Sequence, residues 1–217
     1  MYRNRFNLRK VVAIAICLVG FSVSNVLAQN EKTDKGVVIN GVKWATRNVD
    51  KPGTFVANPE DFGMLYQWNR RVGWSVTDPM INSDGGTDWD STIPEGTMWK
   101  KSNDPSPVGW RVPTSGEIYK LLDTEKVTNE WTTLNGVNGR KFTDRISGKS
   151  IFLPAVGCRD GHGNGSLYGV GSISDYWSST HTKSEYGDGA FSLSLHKNGV
   201  WNIGGMPNGF SVRPVAD

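Results

Sequence analysis

The chain is short of cysteine and histidine, has no excess of charge, and has no apolar run long enough to span a membrane; each shortage excludes a class of function. Its 217 residues include two cysteines, Cys17 and Cys158, and three histidines, His162, His181 and His196. If the N-terminal stretch is removed on export, Cys158 is the only thiol left, so no internal disulfide forms and packing must hold the fold. Neither a histidine nor a second cysteine stands beside Cys158 at a catalytic spacing, and it reads as a small buried hydrophobe. Gly169-Val170-Gly171-Ser172-Ile173-Ser174 superficially suggests a phosphate loop. The lysine and helix opening that such a loop needs are missing. No solenoid or propeller period and no low-complexity block interrupts the chain.

Residues 1–28 read as a signal peptide. Arg3, Arg5, Arg9 and Lys10 precede an apolar core from Val11 to Val23, and Val26-Leu27-Ala28 offers a small-residue cleavage site before Gln29. The apolar core falls short of the ~20 residues a membrane helix needs. Cys17 follows Ile16 rather than a small residue, so no lipobox is expected and the product is secreted to the periplasm or outer cell surface. Left uncleaved, the same segment would act as an N-terminal anchor. The leader holds four of the chain's 24 basic side chains and none of its 21 acidic ones, so what remains is nearly neutral. The overall pI of 8.8 therefore gives no reason to invoke nucleic acid or an anionic membrane.

Gln29 to Gly36 is polar and reads as a disordered tail, followed by one domain over 37–217. Val37 to Trp44 carries Asn40-Gly41, a two-residue hairpin signal because both turn residues must accept positive φ. Tyr66 and Trp68 read as core aromatics. Trp74 to Pro107, rich in Gly, Pro, Asp and Ser, lacks any period and reads as a long irregular excursion of the functional or mobile kind. Thr114 to Glu117 has the form of a capping box, and Ile118, Leu121 and Leu122 fall on one helical face, which predicts a helix over about 115–123. Residues 125–150 read as mostly polar, with turns at Asn135-Gly136 and Asn138-Gly139 and with Trp131, Leu134 and Phe142 as isolated anchors. Short strands are expected near 139–144 and 151–155.

The C-terminal part organises the rest. Strand-like runs lie at 176–180, 190–197, 200–203 and 209–215. In the second, Phe191, Leu193 and Leu195 alternate with Ser192, Ser194 and His196, the period of a strand with one buried face. Asn198-Gly199 then predicts the turn of a hairpin over 190–204.

Several of these stretches carry a resemblance. INGVKWATRNV at 39–49, DFGMLYQWNR at 61–70, NDPSPVGWRVPTSGEIYKLLDT at 103–124, and YWSST at 176–180 followed by GFSVRPV at 209–215 resemble the Fibrobacter succinogenes major paralogous domain family, bacterial relatives of the C-type lectin fold. The resemblance covers about residues 37–216. It implies a C-type-lectin-like α+β fold of short antiparallel strands and hairpins, one or two helices and long irregular loops.

The functional reading follows from fold and composition together. His181, Lys183, Glu185, Tyr186, Asp188, His196, Lys197, Asn198, Trp201 and Asn202 concentrate hydrogen-bonding and stacking groups on the exposed side of the C-terminal hairpin. This predicts an exported, non-catalytic binding module, glycan-binding or adhesin-like, whose partner is a glycan or a surface protein. A variable receptor-recognition protein or a surface-appendage component is the alternative. Calcium-dependent sugar binding of the animal-lectin kind needs Trp-Asn-Asp; here Ile203 follows Trp201-Asn202. Asp84, Asp88 and Asp90 cluster as Ca²⁺ ligands do, but without the EF-hand spacing, and a solvated acidic turn is the simpler reading. No cofactor is expected. An enzyme of the formylglycine-generating branch of the same fold group would need a copper-binding cysteine pair, and its iron-dependent branch a histidine triad, neither of which this sequence provides.

Overall fold

Asn-Gly pairs set two of the hairpins on which the fold is built. The computed structural model describes residues 33–184, 187–202 and 206–217, and Lys35–Asp217 forms one compact unit. The signal-peptide segment lies outside the described residues. Asn40 and Gly41, at φ 44° and 77°, turn β1 (Val37–Ile39) into β2 (Val42–Trp44). Asn135 and Gly136, at φ 48° and 84°, join β6 (Val127–Leu134) to β7 (Val137–Asp144). The remaining strands are β3 (Leu65–Tyr66), β4 (Gly73–Trp74), β5 (Trp110–Arg111), β8 (Ser150–Pro154), β9 (Cys158–Arg159), β10 (Leu167–Tyr168), β11 (Ile173–Ser184), β12 (Gly187–His196), β13 (Gly199–Asn202) and β14 (Val215–Ala216). The sheets run β1-β2-β14-β5, β3-β4, β6-β7-β8, β9-β10 and β11-β12-β13, and every pair of neighbours is antiparallel. With a single α-helix among the described residues, the architecture is α+β.

That helix, α1 (Ser115–Leu122), starts where the capping box predicts. Thr114 Oγ1 accepts from the Glu117 amide, and the Glu117 carboxylate accepts from the Thr114 amide at 2.7 Å. Its buried face carries Ile118 and Leu121 into the core.

Two apolar clusters make up that core, and β11 feeds both. Successive strand residues point to opposite faces, so Tyr176 enters a cluster with Trp44, Phe142, Leu193, Leu195 and the helix, while Trp177 enters another with Tyr66, Trp68, Phe210 and Val212. The Trp177 and Phe210 rings lie 4.3 Å apart, and the Trp177 indole donates to the Tyr66 carbonyl.

A buried polar lattice stitches distant segments together between these clusters. Arg213 Nε donates to Asn48 Oδ1 at 2.9 Å, Asn48 Nδ2 donates to the Phe62 carbonyl and to the Tyr176 hydroxyl, and that hydroxyl donates to the Pro154 carbonyl at 2.9 Å. Burial pushes the Tyr176 phenol up to about 12, so it stays a donor throughout the neutral range.

Four expectations need correction. Residues 125–150 are not a polar stretch of isolated anchors; they make the long β6–β7 hairpin, and Asn138-Gly139 lies inside β7 rather than at a turn. Gly139 is there because a Cβ would come within 2.4 Å of the Leu153 carbonyl on β8. The C-terminal hairpin forms, but its turn is Lys197-Asn198: Gly199 pairs with His196, a shift of one residue that places Leu195 opposite Val200. The run 209–215 is a seam rather than a continuous strand. Phe210 bridges Tyr66 and Ser211 bridges Tyr176, and regular pairing begins only at Val215. Gly36, read as tail, is packed at φ 65° where a Cβ would meet the Trp110 ring at 2.7 Å.

Replacing Tyr176→Phe removes one link of the lattice and is expected to cost about 1–3 kcal/mol in denaturant unfolding, because the buried Asn48 amide loses an acceptor and the Pro154 carbonyl keeps only the Val156 amide as donor. Gly139→Ala is expected to cost a similar ~1–3 kcal/mol through overpacking against β8, whereas Gly116→Ala on α1, where the new methyl meets nothing nearer than Thr114 Oγ1 at 3.9 Å, meets no such clash.

Candidate functional site

The register of the C-terminal sheet separates the residues that composition grouped. His181 pairs with Ala190, whereas His196 pairs with Ile173, at the other end of β11 and β12. Ala190 and His196 are six residues apart on β12, about 20 Å at the rise of a strand. Lys183 and Asp188 belong to the His181 end, where they pair with each other, while Trp201 and Asn202 pair with Ser194 and Leu193 toward the His196 end. Glu185 and Tyr186 lie outside the described residues, as do the side chains of Asp188, Trp201 and Asn202. Along the backbone, the described candidates His181, Lys183 and Asp188 lie toward one end of the sheet and His196, Lys197, Asn198, Trp201 and Asn202 toward the other.

At the His196 end the polar groups serve the turn. The Asn198 amide donates to His196 Nδ1 at 3.2 Å, and the buried Arg140 donates to the His196 carbonyl at 2.8 Å from the neighbouring sheet. Lys197 and Asn198 are exposed. At the other end His181 leans on Trp68, ring centroids 6.1 Å apart, and Trp68 in turn meets Trp99 edge-on at 5.7 Å.

The acidic loop has structural work of its own. Asp90 accepts from the Thr92 hydroxyl at 2.7 Å and the Thr92 amide at 2.9 Å through one oxygen, and from Arg70 through the other. The Thr92 hydroxyl, with help from Arg70, holds the Asp90 carboxyl below its usual range. Asp84 and Asp88 are exposed. Among the described residues no three His, Cys, Asp or Glu side chains come together as a metal-binding group.

Buried amides and a guanidinium tether the long excursion that contains this loop. Gln67 donates to the Asp90 and Pro207 carbonyls, Asn69 accepts from the Lys100 amide and donates to the Glu95 carbonyl, and the 1% exposed Arg159 donates to Ser75, Thr77 and Gly165 carbonyls. Trp89 packs on Trp74 at 5.0 Å.

The tethering shapes a cleft of about 450 Å³ between the loop over residues 99–112 and the Ser179 region of β11. Its walls include Arg71, Trp99, Lys101, Ser106, Trp110 and Asp217. Asp104 folds the loop by accepting from the Ser106 amide at 2.8 Å and the Val112 amide at 3.0 Å. Arg71 donates to the Asp104 carbonyl, and Pro105 accepts from the Gly53 amide. Trp99 Nε1 and Ser106 Oγ are both shielded from solvent and meet no hydrogen-bond partner among the described residues. Sequence reasoning missed this cleft, because its walls come from segments that only the tethers bring together.

One wall is braced by Arg111, which holds Glu117 with two bonds of 2.9 and 2.6 Å. Burial alone would raise the Glu117 carboxyl, but Arg111 and Thr114 outweigh it and keep it below the usual range. Cys158 is 1% exposed, and burial pushes its thiol up to about 12, so it stays protonated and shielded. Among the described residues no helix is long and apolar enough to cross a membrane.

Comparison with protein-family profiles, with curated proteins and with solved structures finds no match to the chain in any of the three.

The Glu117 contact gives a pH signature. A carboxyl lowered on folding adds stability above its unfolded value, about 4.3, and loses it as pH falls through the folded value. Thermal melts between about pH 5 and pH 3 are expected to fall less steeply in Glu117→Gln than in the parent chain.

Proposed function

We propose that the chain is an exported, non-catalytic binding module of C-type-lectin-like fold that takes its ligand in the cleft beside Trp99. The α+β framework of short antiparallel pairs and the resemblance to the Fibrobacter succinogenes major paralogous domain family support the fold assignment. The leader-like N-terminus supports export. The observation that carries the binding reading is the cleft itself. Its volume falls within the ~300–1,000 Å³ usual for small-ligand sites, and Arg71, Lys101 and Asp217 bring polar side chains of both signs to its lining. The buried, protonated Cys158 supports the non-catalytic part.

This reading moves the ligand away from the His196 end of the hairpin. It is tested by presenting the purified protein to an array of glycans and an array of exported surface proteins, with and without EDTA. The parent chain and His196→Ala are expected to retain a selective ligand that Lys101→Glu loses, with no effect of EDTA. The reverse pattern would return the site to the hairpin end, loss in EDTA would establish a metal, and chemical turnover of the retained ligand would refute a purely binding role.

A further inference from the structure

We infer that the outer edge of β6 docks a second copy of this chain, β6 against β6, antiparallel about a twofold axis at Trp131. The inference goes beyond the binding role, and β6 lines no part of the cleft beside Trp99. β6 lies at the edge of the β6-β7-β8 sheet. Its ladder to β7 sends main-chain groups alternately to the two sides of the strand. Asn135-Gly136 is a two-residue turn, so the flanking pair Leu134 and Val137 is hydrogen-bonded. At the other end the Arg145 amide donates to the Lys126 carbonyl. Both anchors turn the N–H and C=O groups of Thr128, Glu130, Thr132 and Leu134 toward β7. Those of Asn129, Trp131 and Thr133 therefore point outward, and among the described residues no main-chain partner meets them.

Edge strands usually carry protection against such pairing, in the form of proline, lysine, a bulge or short length. β6 has none of these. Its sequence, VTNEWTTL, contains neither proline nor lysine, and its eight residues pair with β7 in unbroken register. Other edges are blunted: β8 has five residues and ends in Pro154, and the outer side of the longer β11 is taken up by Gly157, Ser211 and Pro113. The charge pattern of β6 then selects its own copy in one register. With the axis at Trp131, that residue exchanges both main-chain bonds with its counterpart, Asn129 does so with Thr133 of the second copy, and Glu130, the one charged residue of the strand, stands opposite Thr132. Moving the axis to Glu130 sets two glutamates face to face, which is destabilising. Moving it to Thr132 carries Asn129 past the end of the strand, opposite the turn residue Asn135. A strand of another protein is the rival occupant, but β6 is complementary to itself without one. An edge contact of this length is expected to bury less than the ~1,200 Å² at which standard interfaces begin, so the dimer is weak and forms with rising concentration.

Sedimentation of the purified protein from micromolar to millimolar concentration tests the assignment. The parent chain is expected to pass from monomer to dimer. Trp131→Pro removes an outward N–H that β7 does not use, the position at which an edge strand tolerates proline. It is expected to weaken association about tenfold or more, with a far-UV spectrum matching the parent's to show that it is folded. Thr132→Lys places an ammonium opposite Glu130 at two symmetric positions and is expected to tighten association about fivefold. That gain reads the same register whether or not the proline variant folds. A parent chain that stays monomeric throughout would overturn the inference, as would a dimer indifferent to Trp131→Pro, which must form through another surface. A dimer that Thr132→Lys fails to tighten would overturn the register with Trp131 on the axis. None of these outcomes depends on the cleft, so the binding role stands or falls separately.

Discussion

A buried guanidinium holds the centre of this protein together. Arg213 is 1% exposed and donates to the Asn48 side-chain oxygen at 2.9 Å and to the Ala45 carbonyl at 3.3 Å. A buried charge of this kind is tolerated only where dipoles replace the water it gave up. Asn48 supplies one dipole and passes the connection to Tyr176 and Phe62, and Tyr176 passes it to Pro154. Five segments, at residues 45–48, 62, 154, 176 and 213, thereby acquire fixed relative positions. With no disulfide among the described residues to do this, the polar lattice and the two aromatic clusters act together.

The same logic recurs at the periphery. Gln67, Asn69 and Arg159 are buried polar side chains whose bonds run to backbone carbonyls or amides of the long excursion. Loops cannot bury their own backbone unsatisfied, and these side chains provide partners that secondary structure does not. The cleft is a by-product of this tethering: the loop over residues 99–112 is held off the Ser179 region of β11 by bonds at its base.

Local chemistry was legible in the sequence wherever it is decided within a few residues. Thr114 and Glu117 form the predicted cap because both partners lie within one helical turn. Asn40-Gly41 turns because its two residues tolerate positive φ. The alternation marks Leu193 and Leu195 as a buried strand face because side chains alternate across any strand, but Ser192, expected on the wet face, is fully buried and Phe191 only half so. Tyr66 and Trp68 are core residues, as their type suggested. The β6–β7 hairpin was missed despite its own Asn-Gly turn, since its strands are polar and gain their place by pairing rather than by burying apolar residues.

The site was much less legible. A run of polar residues at the C-terminus looks like one surface when read along the chain, yet antiparallel pairing sends His181 and His196 to opposite ends of the same sheet. Trp99, Ser106 and Arg71 meet at one cleft only because Asn69, Asp104 and Gly53 bind segments tens of residues away. By itself the sequence determined the turns, the helix cap, the buried aromatics and the strand alternation, all set by backbone sterics and short-range hydrogen bonding. The tertiary structure alone decided which turns survive, where the seam at Phe210 to Val215 runs, and which side chains share a cleft. These depend on long-range partners for buried polar groups, and no local pattern encodes that pairing.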